Sequence, residues 1–67
     1  MPYKNQIILK SGHAFEFEDD YGNIRQAFLR YLQNPGGTAH VCNQSGLNAA
    51  DLTLDLREVV SVVTVRK

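Results

Sequence analysis

The chain has 67 residues, 43% of them hydrophobic and 21% charged, and its seven acidic and seven basic side chains cancel. A neutral chain of this length is a single domain, residues 1–67, ill suited to coating a nucleic-acid backbone or lying on an anionic membrane. One cysteine excludes an internal disulfide, and Cys42 with His13 and His40 is too small a set for a structural tetrahedral zinc site without carboxylate help. Domains this small bury only roughly 60% of their unfolded surface. With disulfide and metal set aside, self-association is the remaining staple, and a homo-oligomer is expected. The opening Met-Pro-Tyr-Lys-Asn-Gln has no charged region leading into an apolar core, and no apolar run approaches the ~20 residues that span a bilayer. A soluble cytoplasmic protein with a reduced thiol follows as the expectation.

The first element is a β-hairpin. Ile7, Leu9, Phe15 and Phe17 share one parity and Lys10, Glu16 and Glu18 the other, with Lys10-Ser11-Gly12 between the two runs. Gly12 supplies the left-handed residue of a short bulged turn, which sets Leu9 opposite His13 and Ile7 opposite Phe15. One face is then apolar with His13 at its rim, and Ile8 is the apolar exception on a charged outer face. Asp19 and Asp20 provide an acidic start for a helix over Tyr21 to Gln33, with Asn23 as a competing cap. At ~100° per residue Tyr21, Ile24, Ala27, Phe28, Tyr31 and Leu32 fall in an arc of about 140°, which predicts one face packed on the sheet. Leu29 lies beyond that arc and widens the apolar surface. Asn34-Pro35-Gly36-Gly37 stops the helix.

The second half reads as strands: Thr38 to Asn43, a loop through Gln44-Ser45-Gly46-Leu47-Asn48, then Asp51 to Leu56 with Leu52, Leu54 and Leu56 alternating against polar residues. Arg57-Glu58 connects tightly into Val59-Val60-Ser61-Val62-Val63-Thr64-Val65. Unbroken alternation places Val59, Val63 and Val65 on one side and Val60 and Val62 on the other. A single helix covers one side of this strand, so the second calls for another copy of the chain, with Val60, Val62, Leu29 and Ile8 as the expected interface. The order is β-β-α-β-β-β, an α+β domain with one helix across a curved, mainly antiparallel sheet.

Little in this pattern points to catalysis. His40 and Cys42 lie two apart in a predicted strand and share a face, but nucleophilic thiols favour helix starts or strained turns, and a free cysteine is usually a small buried hydrophobe. Pro35-Gly36-Gly37 follows a helix and precedes no Lys-Ser/Thr, so it is not a phosphate loop, and Ser45-Gly46 lacks a nucleophile elbow. No enzyme, no metal and no cofactor is expected. The loop Asn43 to Asn48 is rich in uncharged polar groups and in backbone amides around Gly46, which suit a small polar ligand. Tyrosines and arginines add stacking and charge. The candidate ligand contacts are Tyr3, His13, Arg25, His40, Asn43 and Gln44.

The pattern of Leu9-Lys10-Ser11-Gly12 leading to Phe15-Glu16-Phe17-Glu18, one short amphipathic helix, Leu54-Asp55-Leu56 and a valine-rich last strand resembles small α+β proteins encoded by bacteriophages and prophages. The likeness covers most of the chain and carries over no binding residue. Some oligomeric phage proteins of about this size act as sponges for the nucleotide signals of bacterial immunity. The resemblance therefore implies a non-enzymatic homo-oligomer in the host cytoplasm that sequesters such a signal at subunit boundaries. The alternative is a phage-type interaction module or inhibitor of a host protein. Zero net charge argues against nucleic acid as the partner.

Overall fold

The computed structural model describes residues 2–37 and 40–66. Strands β1 (Tyr3–Leu9) and β2 (Ala14–Asp19) are followed by helix α1 (Asn23–Gln33), strands β3 (Val41–Ser45) and β4 (Asp51–Asp55), and the long strand β5 (Val59–Arg66). This is the α+β fold and the β-β-α-β-β-β order that the sequence predicts. The strands divide into two antiparallel sheets where one was expected: a three-stranded sheet in the order β2-β1-β5, and a separate hairpin β3-β4. Single 3-10 turns occupy Leu47–Ala49 and Leu56–Glu58. Among the described residues no helix is long and apolar enough to cross a membrane.

The first hairpin forms in the expected register, with Ile7 opposite Phe15 and Ile8 opposite Ala14. Gly12 takes φ +90°, a conformation that L side chains rarely adopt, and its amide donates to the Leu9 carbonyl at 2.9 Å. The apolar parity faces inward, where Ile7, Ile24, Phe28, Cys42, Leu54, Leu56 and Val59 are buried and Leu9, Phe15, Phe17, Tyr31 and Val62 pack around them. Helix α1 packs against β5 and β3, and Gly46, at the end of β3, sits against Phe17 of β2. Helix and second hairpin thus make a second layer over one face of the three-stranded sheet.

The valine strand departs from simple alternation. Between Ile8 opposite Ser61 and Leu9 opposite Val59 the register shifts by one residue, so a β-bulge absorbs Val60. A bulge reverses parity, and the face assignment reverses with it: Val59 and Val62 both turn to the core, while Val63 and Val65 pair with Gln6 and Lys4 on the uncovered face and are 48% and 54% exposed. Val62 is therefore corrected from an outward interface residue to a core-side one. Of the other expected interface positions, Val60 and Leu29 are exposed and Ile8 is half-buried.

Helix α1 is corrected at both ends. It starts at Asn23, so Tyr21 belongs to the preceding turn and is 77% exposed. Leu32, at one edge of the predicted arc and in the last turn, is exposed as well. The centre of the stripe holds, with Ile24 and Phe28 buried and the Phe28 and Tyr31 rings stacked at 6.5 Å. Strand β3 begins at Val41; Thr38 and Ala39 of the predicted strand lie outside the described residues. It runs on to Ser45, which takes Asn43 and Gln44 out of the loop and into the ladder.

Candidate functional site

At the end of the three-stranded sheet where β1 begins, the inward-facing parity changes from apolar to polar. Tyr3 and Asn5 continue the row of Ile7 and Leu9, Asp19 continues Phe15 and Phe17, and Thr64 and Arg66 continue Val62. Asn5 is fully buried and Asp19 nearly so. Burial of these groups is tolerable only because they satisfy one another. The Asn5 side-chain amide donates to the Phe17 carbonyl at 3.0 Å and to Asp19 Oδ2 at 3.2 Å, and Asn5 Oδ1 accepts from the Thr64 hydroxyl at 2.7 Å. Asp19 Oδ1 accepts from the backbone amides of Tyr21, at 3.0 Å, and Gly22.

That carboxylate turns the chain. The expected acidic helix start is replaced by an Asp19-bridged turn, with Gly22 at φ +66° directly before the helix and no acidic residue in the first turn. The consequence is positional. Gly22 comes to rest beside the Tyr3 ring, and Arg25, one helical turn on, joins Tyr3, Tyr21, Gln26, Thr64 and Arg66 around a cleft of about 310 Å³. The Arg66 guanidinium lies over the Tyr3 ring, 6.0 Å from its centroid.

The cleft's charge is one-sided. Arg25 and Arg66 make no salt bridge among the described residues, whereas Lys4 pairs with Glu16 at 3.2 Å and Arg57 with Asp55 at 2.7 Å. The side-chain and backbone hydrogen bonds from Arg57 hold the Asp55 carboxyl at about 2, so that arginine is committed to closing the turn before β5. Among the described residues the cleft lining contains no carboxylate, thiol or imidazole. Its chemistry is two guanidinium donors, two phenol rings, an amide and a hydroxyl.

The six sequence-derived candidates separate into groups. Tyr3 and Arg25 meet in the cleft. Asn43 and Gln44 line a shallower, open depression of about 290 Å³ on the second hairpin, with Ser45, Asp51, Leu52 and Thr53. The Gly46 amide there donates to the Ala50 carbonyl, so it is not the free donor the sequence reading expected. His13 is exposed in the first hairpin turn, at the opposite end of β1 from Tyr3, about 20 Å away along a strand rising ~3.4 Å per residue. His40 precedes β3, its carbonyl accepting from the Leu56 amide at 2.7 Å. Its neighbour Cys42 is buried opposite Leu54. Burial pushes the Cys42 thiol up, a hydrogen bond with Gln44 pulls the other way, and the Asp19 charge adds to the rise; such a thiol is a poor nucleophile at neutral pH. Among the described residues no three His, Cys, Asp or Glu side chains gather as metal ligands.

Sequence reasoning assigned Tyr21 to the packed face of the helix and did not place Gln26, Thr64 or Arg66 among the ligand contacts. The readable signal was the parity: polar Asn5 and Asp19 fall on rows otherwise apolar, which marks a wet end of the inner face. No protein-family model matches the chain, and neither does any curated protein or solved structure.

Proposed function

We propose that this protein is a non-catalytic binding module that takes a small nucleotide-type anion in the cleft between β1, β5 and the start of α1. The observation that carries the reading is the convergence of Arg25 and Arg66, free of salt bridges among the described residues, with the Tyr3 and Tyr21 rings on one concavity. Guanidinium groups match phosphate oxygens in geometry as well as charge. Tyr21, 77% exposed, offers a face on which a base can stack. Gln26 and Thr64 add hydrogen-bonding groups for sugar or base edges. The volume lies near the lower end of small-molecule sites, roughly 300 Å³, which suits one nucleotide unit.

A lining of guanidinium, phenol, amide and hydroxyl groups, with no carboxylate or imidazole among the described residues, suits a module that retains its ligand unchanged. Such a module lowers the free concentration of its ligand stoichiometrically, as a phage-type sponge for a nucleotide immune signal does. Self-association and a host-cytoplasmic setting belong to the same reading. The test is thermal unfolding against ADP-ribose, cyclic mono- and dinucleotides, and inorganic phosphate as control. A nucleotide at 100 times its dissociation constant adds roughly 2.7 kcal/mol, which for a domain this small raises the melting temperature by about 10 °C or more. Arg25→Ala and Arg66→Ala should each weaken binding by about 10- to 100-fold, the loss of a charge-assisted hydrogen bond worth ~1.5–3 kcal/mol, with circular dichroism unchanged. No shift with any nucleotide, or equal shifts in the arginine variants, defeats the reading.

A further inference from the structure

The three-stranded sheet has two edges of opposite character. Strand β2 carries Glu16 and Glu18 on its outward parity and is shielded in the way natural edges usually are, by charge. Strand β5 is the longest strand, and from Val59 to Val65 it contains no charged residue and no proline. Among the described residues no strand pairs with its far side, and apart from the Val59 amide, which donates to the Leu56 carbonyl, no backbone group of the strand bonds outside the β1–β5 ladder. Its bulge, a protective device, is confined to Val60 near the strand's beginning. From Val62 to Arg66 the edge is regular and open, and Val63 and Val65 stand exposed on the sheet face that no helix covers.

We infer that two copies of the chain join antiparallel along β5, making one continuous six-stranded sheet with Thr64 on the two-fold axis. The inference rests on the reading of the chain as self-associating, and its sheet edge is independent of the ligand. A second copy is the occupant because a free antiparallel edge is complementary to itself under a two-fold rotation. Facing residues in such a ladder share a side of the sheet, so the register is limited. Thr64 on the axis sets Val63 of each copy against Val65 of the other, and four valines form one apolar cluster on the uncovered face. Placing Val62 or Val63 on the axis instead sets Ser61 against a valine. The chosen pairing also leaves the bulge outside the ladder. Thr64 and Arg66 both line the cleft, so this pairing brings the two clefts side by side at the axis.

Native mass spectrometry and light scattering on the full chain at 50 µM should give twice the subunit mass of 7.5 kDa. The double variant Val63→Lys/Val65→Lys places four like charges across the axis, at positions that are 48% and 54% exposed in the single subunit. It should run as a folded monomer, with association weakened at least 100-fold. Hydrogen exchange on the unaltered chain supplies a test without substitution: protection of Val62–Arg66 amides should rise with concentration and that of β2 should not. A wild-type monomer at this concentration overturns self-association altogether. A wild-type dimer whose β5 amides gain no protection, or a folded double variant that stays dimeric, overturns the β5 edge and leaves self-association standing through another surface.

Discussion

Gly46→Ala should cost about 3 kcal/mol, near the upper end of what overpacking a close contact usually costs. A methyl group there would sit 2.5 Å from Phe17 Cζ, 3.0 Å from Phe17 Cε1 and 2.8 Å from the Glu18 carbonyl oxygen. The ring packs against the buried cluster and the carbonyl belongs to β2, so neither neighbour can move without disturbing the sheet. At ~0.05–0.15 kcal/mol per residue a chain of 67 residues has roughly 3–10 kcal/mol in total. The substitution therefore removes a large share and lowers the melting temperature by more than about 10 °C. Gly36→Ala is the control, since nothing lies within 4 Å of its added methyl group. Equal melting temperatures for the two variants would show that the second hairpin does not seat on β2 as described.

Asn5→Ala should be comparably severe and should also disable the cleft. Truncation leaves the Phe17 carbonyl, Asp19 Oδ2 and the Thr64 hydroxyl without their shared partner. Buried polar groups left unsatisfied cost ~1–3 kcal/mol each, so a loss of about 3–4 kcal/mol is expected in urea unfolding. Asn5→Asp keeps the shape and changes only the chemistry. It replaces a donor by a carboxylate facing Asp19, and two carboxylates in one buried site raise the pKa of the pair. A group whose pKa is raised on folding favours the native state below its unfolded value and disfavours it as pH rises, so the defect of Asn5→Asp should shrink from pH 7 to pH 4. A loss below 1 kcal/mol for Asn5→Ala, or a pH-independent defect for Asn5→Asp, contradicts the role given to this network.

Much of the fold was legible in the residues because local rules decided it. Gly12 and the shared parity of Ile7, Leu9, Phe15 and Phe17 were enough for the first hairpin and its register. Ile24 and Phe28 located the buried stripe of the helix, and Leu52, Leu54 and Leu56 marked the inner row of β4 and of the turn that follows it. The valine strand was misread because alternation assumes an unbroken ladder, and nothing local in Val59-Val60-Ser61 signals the bulge that forms against Ile8 and Leu9. Tyr21 was drawn into the helix by its spacing, while Asp19 and Gly22 actually impose a turn there. The cleft was only half visible. Tyr3 and Arg25 stood out by chemistry, but Arg66 and Thr64 reach them through the pairing of the first strand with the last, a contact between opposite ends of the chain.

The most direct measurement is an amide-shift titration of the isotopically labelled protein with ADP-ribose and a cyclic dinucleotide, followed by nuclear magnetic resonance. The account predicts saturable shifts centred on Tyr21, Gly22, Arg25, Gln26, Thr64 and Arg66, with His13 and the Asn43–Thr53 hairpin unmoved. Saturation centred on Asn43 and Gln44, or no saturable shift at millimolar ligand, would contradict it.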